Sequence, residues 1–221
     1  MTKSRFQKIS REPLHDKVYH ELRSAIMAGR FAPGERLTVR GIADEFGVSA
    51  MPVRAALTRL VAEKIATQNA TGGVELPKMS HEEYLERIEL RALLEGRAAA
   101  LAAAKANKRT VSHLEKLADA LSEASVAGDA RGYVNANKKF KFAVVEAAAS
   151  EPLQDLVSRL WLQVGPFMYM FQNDVAHQAE IDRHHQVVDA IREGDAERAR
   201  VEMERDILDG IEFLKRTAPE D

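Results

Sequence analysis

Leu14, Val18, Leu22 and Ile26 recur at every fourth position, which predicts an amphipathic helix that stops near Gly29. Phe31-Ala32-Pro33-Gly34 reads as a turn, because Pro fixes φ and Gly accepts the positive φ that often comes next. Thr38 is placed to cap a short helix that carries Ile42 and Phe46 and ends at Gly47. Ser49 is placed to cap the next, with Pro52 in its first turn and Val53, Ala56, Leu57, Leu60 and Val61 facing inward. Ile65–Leu76 holds Thr71-Gly72-Gly73 between two potential strands, which predicts a hairpin. Three helices and a hairpin make a winged helix-turn-helix over residues 13–78, preceded by a flexible arm over residues 1–12.

Beyond Pro77 the pattern changes. Ser80 can cap the first of a new series of helices, and helical periodicity then runs over roughly 80–106, 110–127, 130–149, 152–172, 176–193 and 195–216. Stop and cap signals separate these runs at Asn107, Gly128-Asp129, Glu151-Pro152, Asn173 and Gly194-Asp195. The Ala-rich stretch Gly96–Ala106 fits close helix packing, since Ala is the strongest helix former. Short loops between about six helices imply an antiparallel all-helical bundle over residues 79–221. The fold class is therefore mainly α, a winged helix-turn-helix with a helical bundle after it.

Composition adds three constraints. A chain of 221 residues suits two domains, and 45% hydrophobic with 30% charged residues is ordinary for a globular protein. The absence of cysteine excludes disulfides, thiolate metal sites and thiol catalysis, and suits a reducing cytoplasm. No apolar stretch approaches the ~20 residues needed to cross a bilayer, so no membrane association is expected. Charge is uneven despite a net value of −2: residues 1–78 hold 13 Lys+Arg against 8 Asp+Glu, and the remainder hold 19 against 26. A basic front end on an acidic body points toward nucleic acid at one end.

The segment Leu37–Leu60 sharpens that reading. A helix, a tight Gly turn, a Ser cap and a second helix are the geometry that lays a helix N-terminus in the major groove. Arg54 lies one turn into the second helix, opposite Val53 and Leu57, where it can pair in bidentate fashion with guanine. Arg40 and Arg59 are placed to hold phosphates or a neighbouring base. Ser49 and Met51 at the helix start and Gly72 in the wing complete the DNA-contacting set.

In the helical part, polar groups fall on apolar faces. Arg91 shares a face with Tyr84, Ile88 and Glu95, and needs an anionic partner, either Glu95 or a ligand carboxylate. His184 lines up with Ile181, Val188 and Ile191, and Asp206 with Met203. Asn137 and Lys141 sit four apart on a helix that also carries Phe140 and Val144. These groups can converge in one cavity, although a histidine on such a face is as often a satisfied core residue.

The stretch IMAGRFAPGERLTVRGIADEFGVSAMPVRAALTRLVAEKI resembles the N-terminal signature of the GntR family of transcriptional regulators, with the PG turn, GVS and PVRxAL at the family spacing. It departs at Ala50, where the family often has Arg, and in Gln68–Gly73, which lacks the family's basic wing residues. DNA binding is then expected either to be weaker or to lean on the arm's Lys3, Arg5, Lys8 and Arg11. The rest is similar to the FCD effector domain of the FadR/VanR branch, in RIELRALLEGRAAALAA, NKKFKFAVVEAA and HHQVVDAIREGDAERARVEMERDI. The resemblance implies a homodimer reading two half-sites of double-stranded operator DNA, with affinity set by a small carboxylate effector.

Many FCD domains hold a divalent metal through Asp and His spaced four apart plus two later His. On this sequence those positions are Asn137, Lys141, His184 and Asp206, so only His184 remains as a family ligand. An ammonium has no lone pair and repels a cation. No metal or other cofactor is expected, and Arg91, Asn137, Lys141, His184 and Asp206 form the expected effector site; a set using His177 or His185 stays open. Two other readings compete. A carboxylate-bridged di-metal enzyme wants two Glu-x-x-His pairs, against which Asp182-x-x-His185 is a weak match, and no catalytic motif is present. An architectural DNA-binding protein would need no effector site at all.

Overall fold

The computed structural model describes residues 13–69, 72–168 and 183–217. The basic arm, Thr71, Asn173, His177 and Asp182 lie outside the described residues. The chain divides into two compact units: one runs up to Ser24 and resumes over Gly34–Pro77, and the other holds Ala25–Pro33 and everything from Lys78 on.

The first unit carries most of α1 (Leu14–Met27), then β1 (Arg36–Leu37), α2 (Val39–Phe46), α3 (Ala50–Ala62), β2 (Thr67–Gln68) and β3 (Val74–Glu75). Val18, Tyr19 and Leu22 of α1 pack with Ile42, Val53, Leu57 and Leu60 in its core, all buried. Leu14, predicted on the same face, is half exposed because the helix begins there and outruns the core. The wing is larger than the predicted hairpin. β3 pairs antiparallel with both β2 and β1, giving the order β1-β3-β2. The two-residue β1 comes after the Pro33-Gly34 turn and is too short for a periodicity to reveal.

The helical unit contains α4 (His81–Lys105), α5 (Lys108–Val126), α6 (Ala130–Ala147), α7 (Glu151–Met168), α8 (His184–Glu193) and α9 (Ala196–Thr217). Its caps match the sequence signals. Ser80 and Glu83 form a reciprocal capping box, Asn107 accepts from Thr110 N at 3.0 Å, and Asp129 accepts from Gly132 N at 2.9 Å. Gly194 closes α8 in the left-handed region at φ 74°. Alanines at 92, 98, 99, 102 and 103 let the other helices approach α4 closely, and Leu114, Leu121, Phe140, Val144, Trp161, Val187, Val188 and Met203 are buried around it. Among the described residues, no helix is long and apolar enough to cross a membrane.

Candidate functional site

In the first unit, α2, the Gly47 turn and α3 carry most of the residues that the sequence singles out for DNA contact. Thr38 caps α2 by accepting from Gly41 N at 3.2 Å, and Gly47 turns the chain with φ 62°. Ser49 occupies the cap position of α3, yet its side chain makes no capping bond. Pro52, the third helical residue, has no N–H, which leaves only the Met51 N–H of the two donors that a capping oxygen usually takes. The exposed Ser49 hydroxyl and the first N–H groups of α3 thus face outward, a polarity that suits a phosphate.

Val53, Ala56, Leu57 and Leu60 hold α3 to the core, which turns the opposite side outward. Met51 is 77% exposed, and Arg54 projects beside it with no carboxylate partner among the described residues. Arg40 is almost fully exposed at the start of α2, at the 4.0 Å limit of an ion pair with Asp44. Arg59 is placed differently from the other two. Its Nε donates to Glu63 at 2.9 Å, Nη1 lies 3.3 Å from Asp16, and the guanidinium sits 3.8 Å from the centre of the Tyr19 ring. Tyr19 in turn donates to Glu63 and accepts from Arg23. That network ties α3 to α1, so Arg59 is half exposed but already engaged.

In the wing, Gly72 adopts φ 80° with open space around it. Asn69 accepts from Gly73 N at 2.9 Å and donates to Glu75 at 3.2 Å. The described wing residues thus offer amide and carboxylate groups, as the absence of basic residues in Gln68–Gly73 foretold.

Among the described residues, the helical unit buries the polar side chains of Arg91, Glu95, Lys141 and His184. Lys141 reaches from α6 to α9, where its ammonium donates to Asp206 Oδ2 and approaches Met203 Sδ at 3.0 Å. The other Asp206 oxygen accepts from Arg183 N at 3.2 Å and lies 3.7 Å from His184 Nδ1. His184 Nε2 meets Asn137 Oδ1 at 3.1 Å, and its ring stands nearly perpendicular to that of Phe140 with centroids 4.7 Å apart. Asn137, His184, Asp206 and Lys141 therefore form one continuous network at the meeting of α6, α8 and α9. Burial alone would raise the Asp206 pKa. The charges of His184 and Lys141 and the hydrogen bonds from Lys141 and Arg183 outweigh it and bring that pKa down to about 2.

Arg91 belongs to a second cluster. Its Nε donates to Glu95 at 2.8 Å and its guanidinium stacks 4.0 Å from the Trp161 ring centre, while Trp161 Nε1 also donates to Glu95 at 2.9 Å. Glu95 Oε2 is buried without a partner among the described residues. Tyr84 lies close by: burial raises its hydroxyl pKa, with the Arg91 charge pulling the other way. Of the two partners open to Arg91, Glu95 is thus present. Trp161 and Arg183 escaped the sequence reading, and Met203 entered it only as an apolar neighbour of Asp206. The spacing of Val157, Trp161 and Val164 marks a buried face but names no partner, and the role of Arg183 comes mainly through its backbone N–H, which no side-chain pattern reports.

The donor set does not fit a divalent metal. Lys141 fills the position of a family ligand with a protonated amine already bonded to Asp206, and both nitrogens of His184 and both oxygens of Asp206 face neighbours within the network. Among the described residues no group of three or more His, Asp or Glu is arranged to hold a metal ion. His185 is exposed and pairs with Asp119 at 3.1 Å, away from the cluster.

Comparison with known proteins places both units. Residues 14–76 match the family described as bacterial regulatory proteins, gntR family, and residues 86–209 match the FCD domain. The HTH-type transcriptional regulator McbR of Escherichia coli (strain K12) is 27% identical over 187 residues, covering 83% of this chain and 85% of that protein. A probable D-xylose utilization operon transcriptional repressor of Paenarthrobacter nicotinovorans is 27% identical over 196 residues, covering 87% and 85%. A solved structure of E. coli McbR/YncC superposes with a TM-score of 0.87 at 24% identity, over 95% of this chain and 100% of that one, a likeness of fold.

Proposed function

The chain belongs to the GntR family of bacterial regulatory proteins, with an FCD domain as its second part, and from that premise we propose how this DNA-binding transcriptional regulator reads and senses. It works as a homodimer in the cytoplasm, each protomer offering α3 to one half-site of a near-palindromic operator about one helical turn from the other. Arg54 reads a base edge, Met51 packs beside it, and Arg40, Ser49 and Gly72 hold the backbone, with the basic arm adding phosphate contacts. Arg59 contributes through the network that seats α3 on α1.

The FCD domain senses a small organic anion. The observation that carries this reading is the buried Lys141 ammonium, a fixed positive charge in the bundle interior beside His184 and Asn137. An incoming carboxylate competes with Asp206 for that ammonium, and Asp206 also accepts the Arg183 N–H at the start of α8. Exchanging one carboxylate for another thereby reaches the backbone of α8. Arg91 supplies a second cation when the ligand draws it from Glu95. Linkage then requires that the effector change operator affinity by the same factor as DNA changes effector affinity.

The test uses a duplex selected by the full-length protein from a random pool, with binding monitored by fluorescence anisotropy. A panel of mono- and dicarboxylates should contain members that shift the midpoint at least tenfold in wild type and fail to do so in Arg91→Ala. A duplex of fixed affinity across the panel would leave an architectural role. A shift that survives Arg91→Ala would remove Arg91 from the site.

A further inference from the structure

Helices α5 and α6 are joined by a short turn in which Gly128 takes φ 66°, so α6 folds back along α5 and its last turns lie beside the first turns of α5. Leu114 and Val144 hold the two together and are fully buried. On the outer side Ala143 and Ala147 offer only methyl groups, which leaves a cavity of about 700 Å³ between the helices. One wall is polar. Arg109, His113 and Lys116 are spaced four and three apart, so they share one stripe of α5 over ~10 Å of helix. Ser112 adds a hydroxyl to the same wall, and Glu146 is the one acid that lines the cavity among the described residues.

The charge here runs against the rest of the unit. Residues 79–221 hold 19 Lys+Arg against 26 Asp+Glu, whereas Lys105–Lys116 holds four Lys+Arg and His113 against Glu115 alone. Outside the cavity, Lys105 donates to the Ala148 carbonyl at 2.6 Å and Glu115 pairs with Arg192. The charges that line it are not used. Arg109, His113, Lys116 and Glu146 make no hydrogen bond or ion pair among the described residues, although Glu146 shares the cavity with the cations. Cations gathered without a counter-ion repel one another, and an anionic ligand relieves that.

The donors decide which anion fits. A guanidinium presents a planar fork suited to phosphate, a lysine adds a point charge, and an imidazole has a ring N–H in either protonation state. With the Ser112 hydroxyl, these donors match the three oxygens and the charge of about −1.5 to −2 of a phosphoryl group. The volume falls in the range of ~300–1,000 Å³ that holds a small metabolite, more than phosphate alone fills. Glu146 can accept from a hydroxyl on the organic part. We propose that the α5–α6 cavity binds a phosphorylated small molecule, its phosphoryl group on Arg109, His113 and Lys116 and its organic part over Ala143 and Ala147. The site is separate from the buried Lys141 cluster, none of whose residues lines the cavity.

Isothermal titration calorimetry on the full-length chain with inorganic pyrophosphate tests this, with circular dichroism confirming that the exposed substitutions leave the fold intact. Wild type should take up one equivalent per chain with a Kd below about 1 mM. Arg109→Glu and Lys116→Glu should each raise that Kd by about tenfold or more, and Glu146→Gln should lower it by about threefold, since it removes the competing carboxylate. Citrate, an anion of similar charge without phosphoryl oxygens, should bind at least about tenfold more weakly. No uptake by wild type, or citrate bound as tightly as pyrophosphate, would overturn the proposal. So would uptake that all three variants leave unchanged, which marks an adventitious ion only, and uptake lost when the selected duplex occupies the DNA-reading surface.

Discussion

Lys141 and Asp206, 65 residues apart in sequence, meet in the bundle with side chains only 2% and 8% exposed, and the ammonium donates directly to the carboxylate. A buried pair of this kind is costly to leave half made, because the remaining charge keeps its desolvation penalty without its partner. Lys141→Met should therefore lower stability by about 3 kcal/mol or more, while Lys141→Met/Asp206→Leu should recover most of that loss. Trp161, the only tryptophan in the chain and buried in the same unit, reports the urea transition. Equal destabilisation of the single and double variants would mean that the pair is not an energetic unit.

The same carboxylate sets an acid limit. Its folded pKa of about 2 lies below the ordinary Asp value, so the group contributes stability that is complete above pH of about 4. That contribution drains away as pH falls from there toward about 2, where the folded carboxylate itself takes up a proton. Urea midpoints measured across this window should drop steeply for wild type and clearly less for Asp206→Asn. Parallel profiles would place the acid sensitivity on other carboxylates.

Metal should not bind in stoichiometric amount. After dialysis against zinc or nickel and removal of excess, elemental analysis is expected to find substoichiometric metal in wild type, because Lys141 holds a ligand position without a lone pair. One equivalent per chain, lost in His184→Ala, would overturn the reading of Lys141 as the resident cation.

The cluster was legible in part for a simple reason. Helical periodicity says which face a side chain occupies, and Asn137, Lys141, His184 and Asp206 each stood out as polar groups on apolar faces. The charge complementarity of Lys141 and Asp206 then suggested their meeting. Periodicity put Glu95 one turn from Arg91 on the same helix, but it carries no information about rotation of one helix against another, so it could not say that Trp161 of α7 covers Arg91 and bonds Glu95. In the first unit, the caps at Thr38 and Gly47 were readable from residue type alone. The Ser49 side-chain cap, expected on the same grounds, is absent: Ser49 holds the cap position without the bond, and Pro52 removes one of the two usual donors. The third wing strand was not readable, since two residues give no alternation to detect.

The three arginines of the reading surface should separate by salt dependence. Arg54→Ala is expected to cost ~1–3 kcal/mol on the selected duplex and to relax preference at one base position. Arg40→Ala should weaken all sequences alike and reduce the slope of log affinity against log salt by about one. Arg59→Ala should lower the thermal stability of the protein and leave that slope unchanged, because its guanidinium is spent on Glu63, Asp16 and Tyr19. A slope reduced by about one in Arg59→Ala would return it to the phosphate contacts.

Trp161 offers a direct view of the Arg91–Glu95 cluster, the second part of the proposed effector site. Its indole N–H is bonded to Glu95 and its face is covered by Arg91, so any anion that draws Arg91 away must change both the charge over the ring and the acceptor at its edge. Because no other tryptophan contributes, emission from the whole protein reads this one site. Titration with an effective carboxylate should shift or quench the emission saturably, at the same midpoint as its effect on operator binding. Arg91→Ala should show an altered starting spectrum and no saturable change. An effector that moves operator affinity while leaving Trp161 emission untouched would place its binding at the Lys141–His184 cluster without Arg91, and would confine the Arg91–Glu95 pair to holding α4 against α7.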